Sequence, residues 1–510
     1  VSLTPPQPAP LSNGRAVPLA SIPDLPFADF ERVLLAGVAA DQRVAALFGT
    51  AGGQPGVTRL VAILADDSRN QLHAATTDVE GDSFPSLTPR CPQVHLFERE
   101  IAEQFGLKPA GHPWLKPVRY RRSWTGKDAW SRPAGQPILP AVGDFFRVEG
   151  EEVHEVAVGP VHAGVIEPGH FRFQCHGEEV FHLEIALGYQ HRGVEEALLG
   201  GPGLRSPHYA ETLSGDATIA HGTAYCQVLE ALARCQKTPR AQTLRGIALE
   251  LERLANHVGD LGALANDIGF LPTASYCGRI RGDYLNLTAL LCGNRFGRSF
   301  VRPGGVGFDL EPARAADFLT RLEAIGKDTA VAINLLWETQ TVLSRFEDAG
   351  PVPRNIALEL GLVGPAARAS GLARDARQDQ PSGLFRFAQI PMATCQTGDV
   401  FARAYVRWLE IQHSIEFIRD QVHALPAGAL LSPLGPPAPA HLAVALNEGW
   451  RGEVCHVAIT DDNGAFSRYK VVDPSFHNWM GLAYALRNQE ISDFPICNKS
   501  FSLSYCGHDL

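Results

Sequence analysis

Between residues 241 and 264, apolar side chains recur at Leu244, Ile247, Ala248, Leu251, Leu254, Ala255, Val258 and Leu261. A 3–4 spacing sustained over that length predicts a long amphipathic helix, because the α-helical turn gathers those positions on one face. Such a helix must bury that face, so it demands partners, and the chain supplies them. Residues 312–346 read as a second long helical stretch. Phe401, Tyr405, Trp408, Ile411, Ile415, Ile418 and Val422 mark a third, and 224–235 reads as a shorter one. The larger part of the chain is therefore expected to be built on packed helices.

Strand signals flank this helical region. Residues 57–65 and 71–77 are strand-like runs separated by the polar turn 66–70, and Leu96, Phe97, Ile101 and Phe105 place a helix over 94–105. Residues 146–158 and 171–186 read as paired strands. Near the end, 453–460 and 467–472 flank an Asp-Asp-Asn-Gly turn at 461–464, which predicts a hairpin. The expected fold class is α+β. A small mixed domain over 28–120 precedes a mainly helical domain over 145–510 with small flanking sheets. Residues 1–27 read as an extended, proline-rich lead-in. Residues 121–144 read as a basic, then Pro/Gly-rich linker, with 119–132 either a solvated loop or a contact strap.

Composition narrows the function. The 510 residues carry 45 Lys+Arg against 55 Asp+Glu, a formal net charge of −10, which argues against nucleic acid as a partner. No apolar run is long enough for a membrane-spanning helix, and the first residues lack the basic-then-apolar pattern of a secretory signal. Ten cysteines are scattered with no C-x-x-C pair, so they read as reduced, buried thiols rather than ligands of a zinc or iron–sulfur site bound by this chain alone. No phosphate-binding loop, dinucleotide fingerprint, H-E-x-x-H or nucleophile elbow is present.

Polar residues nevertheless cluster in segments that read as buried: His162, Glu167 and His170; His191, Arg192 and Glu195; Glu252, Arg253 and His257; Arg368, Asp375 and Arg377. Together they predict a polar cleft in a helical domain. Glu167 and Asp375 are expected to relay protons if burial lifts a carboxyl toward neutrality.

The order of motifs resembles a known family. FPSLTPRCPQ (84–93) and HLFEREIAEQFGLKPAGHPWLKPVRY (95–120) look like the 30 kDa subunit of respiratory complex I. GPVHAGVIEPGHFRF (159–173), LEIALGYQHRGVEE (183–196), ELERLANHVGDLGAL (250–264), RFGRSFVRPGGV (295–306), ARASGLARDARQD (367–379), GDVFARAYVR (398–407), RYKVVDPSFHNW (468–479) and DFPICNKSFSLSYCGHDL (493–510) resemble its 49 kDa subunit. They are equally similar to the large subunit of group 4 membrane-bound nickel–iron hydrogenases. The fusion of both parts in one chain is similar to formate hydrogenlyase-type large subunits. Within the family, Glu167 matches a carboxylate that shuttles protons near the metal, and Asp375 with Arg377 matches a D-x-R pair beside the cavity. The candidate proton route or cavity residues are therefore Glu167, Asp375, Arg377, His170 and His221.

The family's ligand motifs are altered. Hydrogenases hold nickel and iron with two C-x-x-C pairs, soft thiolates suited to those metals. Here the matching positions are Ser214 and Ala217, then Ser504 and Gly507 without a gap, or Leu503 and Cys506 with a one-residue shift. The quinone-headgroup positions of complex I fall on Ile166 and near Gly215. The resemblance then implies an energy-converting hydrogenase-related chain without a nickel–iron centre. It implies no cofactor held by this chain, a 4Fe–4S cluster in a small partner subunit, and a quinone or similar carrier as a possible occupant of the cavity. Expected partners are that small iron–sulfur subunit, a ferredoxin-like iron–sulfur subunit, and antiporter-like and quinone-channel-like membrane subunits. The expected location is peripheral, on the cytoplasmic side of the membrane. Three other readings stay open: a purely structural or conformational-coupling subunit, a quinone-reducing subunit of an NADH dehydrogenase-like complex, and a new mononuclear metal site from Ser214, Asp216, Cys506, His508 and Asp509.

Overall fold

The computed structural model describes residues 7–133, 135–140, 143–161 and 166–510; His162 lies outside the described residues. The first core is a four-stranded antiparallel sheet of Arg43–Ala51, Thr58–Asp66, Gln71–Val79 and Ala9–Leu11, packed with helices Phe27–Ala39 and His95–Phe105. The second core is helical. Pro239–Asp267 is its central rod, opened by Thr238, whose side chain accepts a hydrogen bond from the Ala241 amide, and by Pro at the first helical position. Thr218–Leu232, Leu271–Cys292, Pro312–Trp337 and Val400–His423 surround it.

The late hairpin joins the two cores. His441–Gly449, Gly452–Thr460 and Phe466–Val472 form one antiparallel sheet. Side chains alternate along a strand, and here both faces are buried. Leu442, Val444, Leu446, Cys455, Val457 and Ile459 enter the N-terminal core, while Ala443, Ala445, Val454 and Ala458 enter the helical core. The sheet is a shared wall.

Several sequence expectations change. The stretch 146–158 pairs only over Val153–Val158, and 171–186 is two strands, His170–His176 and Glu179–Ala186, folded back at Gly177. Gly177 has φ +56°, a left-handed backbone that glycine adopts without penalty. The helix over 312–346 breaks into Pro312–Trp337 and Gln340–Phe346. The lead-in is paired rather than loose: Ala9–Leu11 joins Gln71–Val79, and Ala16–Pro18 joins His441–Gly449.

The basic strap is no solvated loop at its start. Arg119 is buried, ion-paired with Glu100, and donates through Nε and Nη2 to the His508 carbonyl at 3.0 and 2.9 Å. Beside it, Lys470 Nζ reaches Glu100 at 2.6 Å and Glu195 at 3.1 Å, and Arg468 pairs with Glu195 at 3.0 Å. A positive strap in sequence becomes a buried clamp because the opposing helix carries the carboxylates.

Candidate functional site

The two altered ligand motifs meet in space. Ser214 Oγ lies 3.0 Å from Ser504 Oγ, and both residues are buried. That contact matches the ungapped alignment, with Ser504 rather than Leu503 at the first position of the second motif. Ser504 caps the short helix Tyr505–Asp509, its hydroxyl accepting the Gly507 amide at 2.9 Å. Arg192 staples the motifs together, donating to the carbonyls of Thr212 (2.6 Å), Leu213 (3.0 Å) and Cys506 (3.1 Å).

An arginine absent from the sequence-based candidates dominates the site. Arg451 stands in the Gly-Trp-Arg-Gly turn of the shared-wall hairpin, held over the Trp450 ring at 3.9 Å. It donates to Asp216 Oδ1 at 2.5 Å and Oδ2 at 2.8 Å, to Ser214 Oγ at 3.2 Å, and through Nε to the Ser502 carbonyl at 2.5 Å. Burial alone would raise the Asp216 carboxyl, but the guanidinium outweighs it and holds it below the usual carboxylate range. No local sequence signal marks Arg451, because its role is set by Asp216, far away in the chain.

Of these groups, Asp216, Trp450, Arg451 and Ser502 border a cavity of about 770 Å³, which the Ser214–Ser504 contact itself does not line. Val158, Ile166, Phe173, Phe494 and Leu503 give it an apolar side; Asp216, Asn256, Asp260, Arg281, Arg451 and Lys499 give it a polar one. Of the sequence candidates, Glu167 borders it and accepts the Tyr505 amide at 3.3 Å. His221 lies behind it, fully buried, with Nε2 3.0 Å from Asp473 Oδ2 and Nδ1 3.0 Å from His456 Nε2. His170 does not line it; its ring faces the Gly159 carbonyl at 3.3 Å and receives Arg172 Nε at 3.2 Å.

Asp375 and Arg377 belong elsewhere. Arg377 pairs with Asp375 at 2.6 Å and Glu250 at 3.1 Å, and Arg368 with Glu410 at 2.6 Å and Glu448 at 2.7 Å. Arg253 closes the cluster onto Glu250 and Glu410, and donates to the carbonyls of Glu448 and Gly449, which lead into Trp450 and Arg451. The condition set for Asp375, that burial lifts its carboxyl, is not met: desolvation pushes it up, but Arg377 and Arg368 push harder and hold it below the usual carboxylate range. Among the carboxyls that burial does lift is Glu252, to about 8, with Asp216 adding to the rise. It accepts the Ile219 and Ala220 amides at 2.6 and 3.2 Å, at the start of helix Thr218–Leu232 and beside Asp216.

The residues do not fit a nickel–iron group. The four ligand positions offer two hydroxyls, a methyl group and a hydrogen. Cys506, the thiol nearest to them in sequence, is 3.4 Å from Ser504 Oγ. Burial and the neighbouring Glu167 push it up to about 11, so it is a thiol, not a thiolate. A side chain at 507 has no room: a Cβ there would lie 2.6 Å from Asp473 Oδ2. Nor do the five residues considered for a new metal converge. Asp216 is engaged by Arg451, and Asp509 accepts the Gly188 and Gln190 amides at 2.8 and 2.9 Å. His508 lies against the Phe476 ring and lines a different cavity. Among the described residues, no group of three or more His, Cys, Asp or Glu is arranged to hold a metal ion.

Comparison with known proteins follows the same two modules. Residues 34–133 match the family model of the respiratory-chain NADH dehydrogenase 30 kDa subunit, and 267–435 that of its 49 kDa subunit. The chain is 29% identical over 442 residues to formate hydrogenlyase subunit 5 of Escherichia coli, covering 84% of this chain and 77% of that protein. It is 31% identical over 344 residues to the carbon monoxide-induced hydrogenase of Rhodospirillum rubrum, covering 67% and 95%. It is 30% identical over 370 residues to NADH-quinone oxidoreductase subunit 4 of Thermus thermophilus, covering 67% and 90%. With its two motifs meeting across one cavity and its N-terminal module packed on the same sheet, the chain belongs to the family of complex I 49 kDa subunits and group 4 hydrogenase large subunits, with a 30 kDa module fused in front.

Proposed function

We propose that this chain is the large peripheral-arm subunit of a membrane-bound, complex I-like redox complex that works without a nickel–iron centre. Among the described residues no helix is long and apolar enough to cross a membrane, so partner subunits would supply the anchor, on the cytoplasmic side. A small subunit with a 4Fe–4S cluster would deliver electrons, a ferredoxin-like subunit would feed it, and antiporter-like and quinone-channel-like subunits would move the proton or ion. The observation that carries the reading is the Ser214–Ser504 contact locked by Arg451 and Asp216, where the relatives' motif would place thiolates.

In this reading the chain's own groups handle protons. Each serine hydroxyl both donates and accepts. Asp216 stays ionised against Arg451, while Glu252 behind it carries a proton at neutral pH. The apolar side of the cavity favours a quinone-like carrier as the electron's acceptor, and its intact polar side speaks against a purely structural subunit, since unpaired buried polar groups are costly.

The purified complex tests this by metal analysis and hydrogen-dependent dye reduction. Nickel well below one per chain and no hydrogen uptake are expected; stoichiometric nickel or hydrogen-driven reduction refutes the proposal. Asp216→Asn should abolish coupled turnover in an assembled complex. Wild-type turnover in that variant would favour the structural reading.

A further inference from the structure

We infer that a second cavity, separated from the first by the helix Tyr505–Asp509, is a binding site for a small organic carboxylate. Tyr505 lines the first cavity and His508, one turn on, lines the second. The space is about 110 Å³, walled by helix His95–Phe105, residues 114–120, strand Glu179–Ala186 and helix Pro474–Ala485. An apolar cavity of about 150 Å³ accepts benzene, so about four or five heavy atoms fit in the about 110 Å³ here.

The charges around it do not balance. Arg99, Lys116 and Arg487 face a single carboxylate, Glu184. Glu184 is already saturated: it pairs with Lys116 and accepts the Trp114 indole N–H at 3.0 Å and the Phe146 amide at 2.7 Å. Arg99 donates only to the carbonyls of Lys116 (2.8 Å) and Pro117 (2.9 Å), and no carboxylate pairs with it among the described residues. Arg487 stacks 5.5 Å from the Tyr484 ring and likewise has no carboxylate partner among the described residues. His95, His182 and His508 add no charge, because burial pushes all three down, His95 to about 3.

A second observation points to a ligand. Trp479 is 4% exposed and lines this cavity, and its indole N–H has no acceptor. Buried donors are almost always satisfied. Arg99, bonded only to carbonyls with Glu184 and Glu103 acting from a distance, the exposed Arg487 and an orphan donor together suit an anionic acceptor. A planar carboxylate matches the guanidinium fork, and Trp114, Tyr120 and Trp479 provide flat walls for the organic part. Tyr120 is held there at φ +55°, a backbone that tyrosine rarely adopts.

The site is separate from the cavity bordered by Asp216 and Arg451, and the test keeps them apart. Isothermal titration calorimetry on the full chain would compare propionate with propionamide, and acetate with acetamide. The carboxylates should bind at least about tenfold more tightly than their amides. Arg99→Met should weaken carboxylate binding about tenfold. The exposed Arg487→Gln should weaken it severalfold without lowering the melting temperature, which covers the case of Arg99→Met failing to fold. Asp216→Asn should leave it unchanged. Equal binding of acid and amide, binding indifferent to both arginine variants, or inorganic phosphate binding as tightly as propionate would each overturn the assignment, as would no heat from either carboxylate.

Discussion

Replacing Gly507 by alanine examines why the second ligand motif no longer holds a side chain. Position 507 is in the helix Tyr505–Asp509, where alanine would ordinarily gain about 1 kcal/mol over glycine. The structure predicts the opposite sign. The new Cβ would meet Asp473 Oδ2 at 2.6 Å and Ser504 Oγ at 2.9 Å. Asp473 cannot easily yield: it is 1% exposed, its Oδ2 faces His221 Nε2 at 3.0 Å and its Oδ1 accepts the Ser475 amide at 2.8 Å. Overpacking costs about 1–3 kcal/mol, and losing a hydrogen bond to an ionised buried group about 1.5–3 kcal/mol. Against the helix gain, the net expectation is a loss of about 2–4 kcal/mol, several degrees in Tm. Differential scanning calorimetry of Gly507→Ala beside Gly215→Ala measures it. Gly215 belongs to the facing motif and is exposed, with nothing within 4 Å of an added methyl, so that variant should stay within about 0.5 kcal/mol. A Gly507→Ala protein as stable as wild type would show that Asp473 does not wall the position, and the steric argument against a thiol there would fail.

Two further outcomes follow from the buried charges. Glu252 titrates near 8 in the folded protein and near the ordinary carboxyl value when unfolded, so its ionisation costs stability as pH rises between the two; the stability of Glu252→Gln relative to wild type should climb across that interval in denaturant titrations, and a flat difference contradicts the lifted carboxyl. Arg119→Met removes the ion pair to Glu100 and both bonds to the His508 carbonyl; it should cost about 3–5 kcal/mol and split calorimetric unfolding into two transitions, whereas one unshifted transition would show that the two cores are joined without this clamp.

Elements with a sustained period were readable in the sequence. The rod predicted over 241–264 is the helix Pro239–Asp267, and the late hairpin has its turn where Asp-Asp-Asn-Gly placed it. Periodicity is a local property, so it survives without knowledge of the fold. Features set by distant partners were not readable. Asp375 was a relay candidate only if burial lifted it; its neighbour Arg377 was visible as the D-x-R pair, but that Arg368 also lies 3.6 Å away was not. Arg451 carries no local signature because its meaning depends on Asp216, 235 residues earlier. The basic strap looked solvated because its counter-charges, Glu100 and the His508 carbonyl, come from another helix and from the far end of the chain. Paired strands over 146–158 and 171–186 were half right for the same reason: β-propensity located extended chain but not which part finds a neighbour.

The paired lead-in sets a schedule for synthesis. Ala9–Leu11 can close onto Gln71–Val79 soon after both emerge, but the partner of Ala16–Pro18 is His441–Ala443. About 420 residues separate them, roughly 20–85 s of translation at typical rates. Throughout that interval one strand is anchored and the next, a few residues away, exposes unpaired backbone beside a nascent sheet. The ribosome-bound chain is thus vulnerable to mispairing at its N-terminal segment until the last hairpin emerges, and slowing elongation should lower the yield of folded protein.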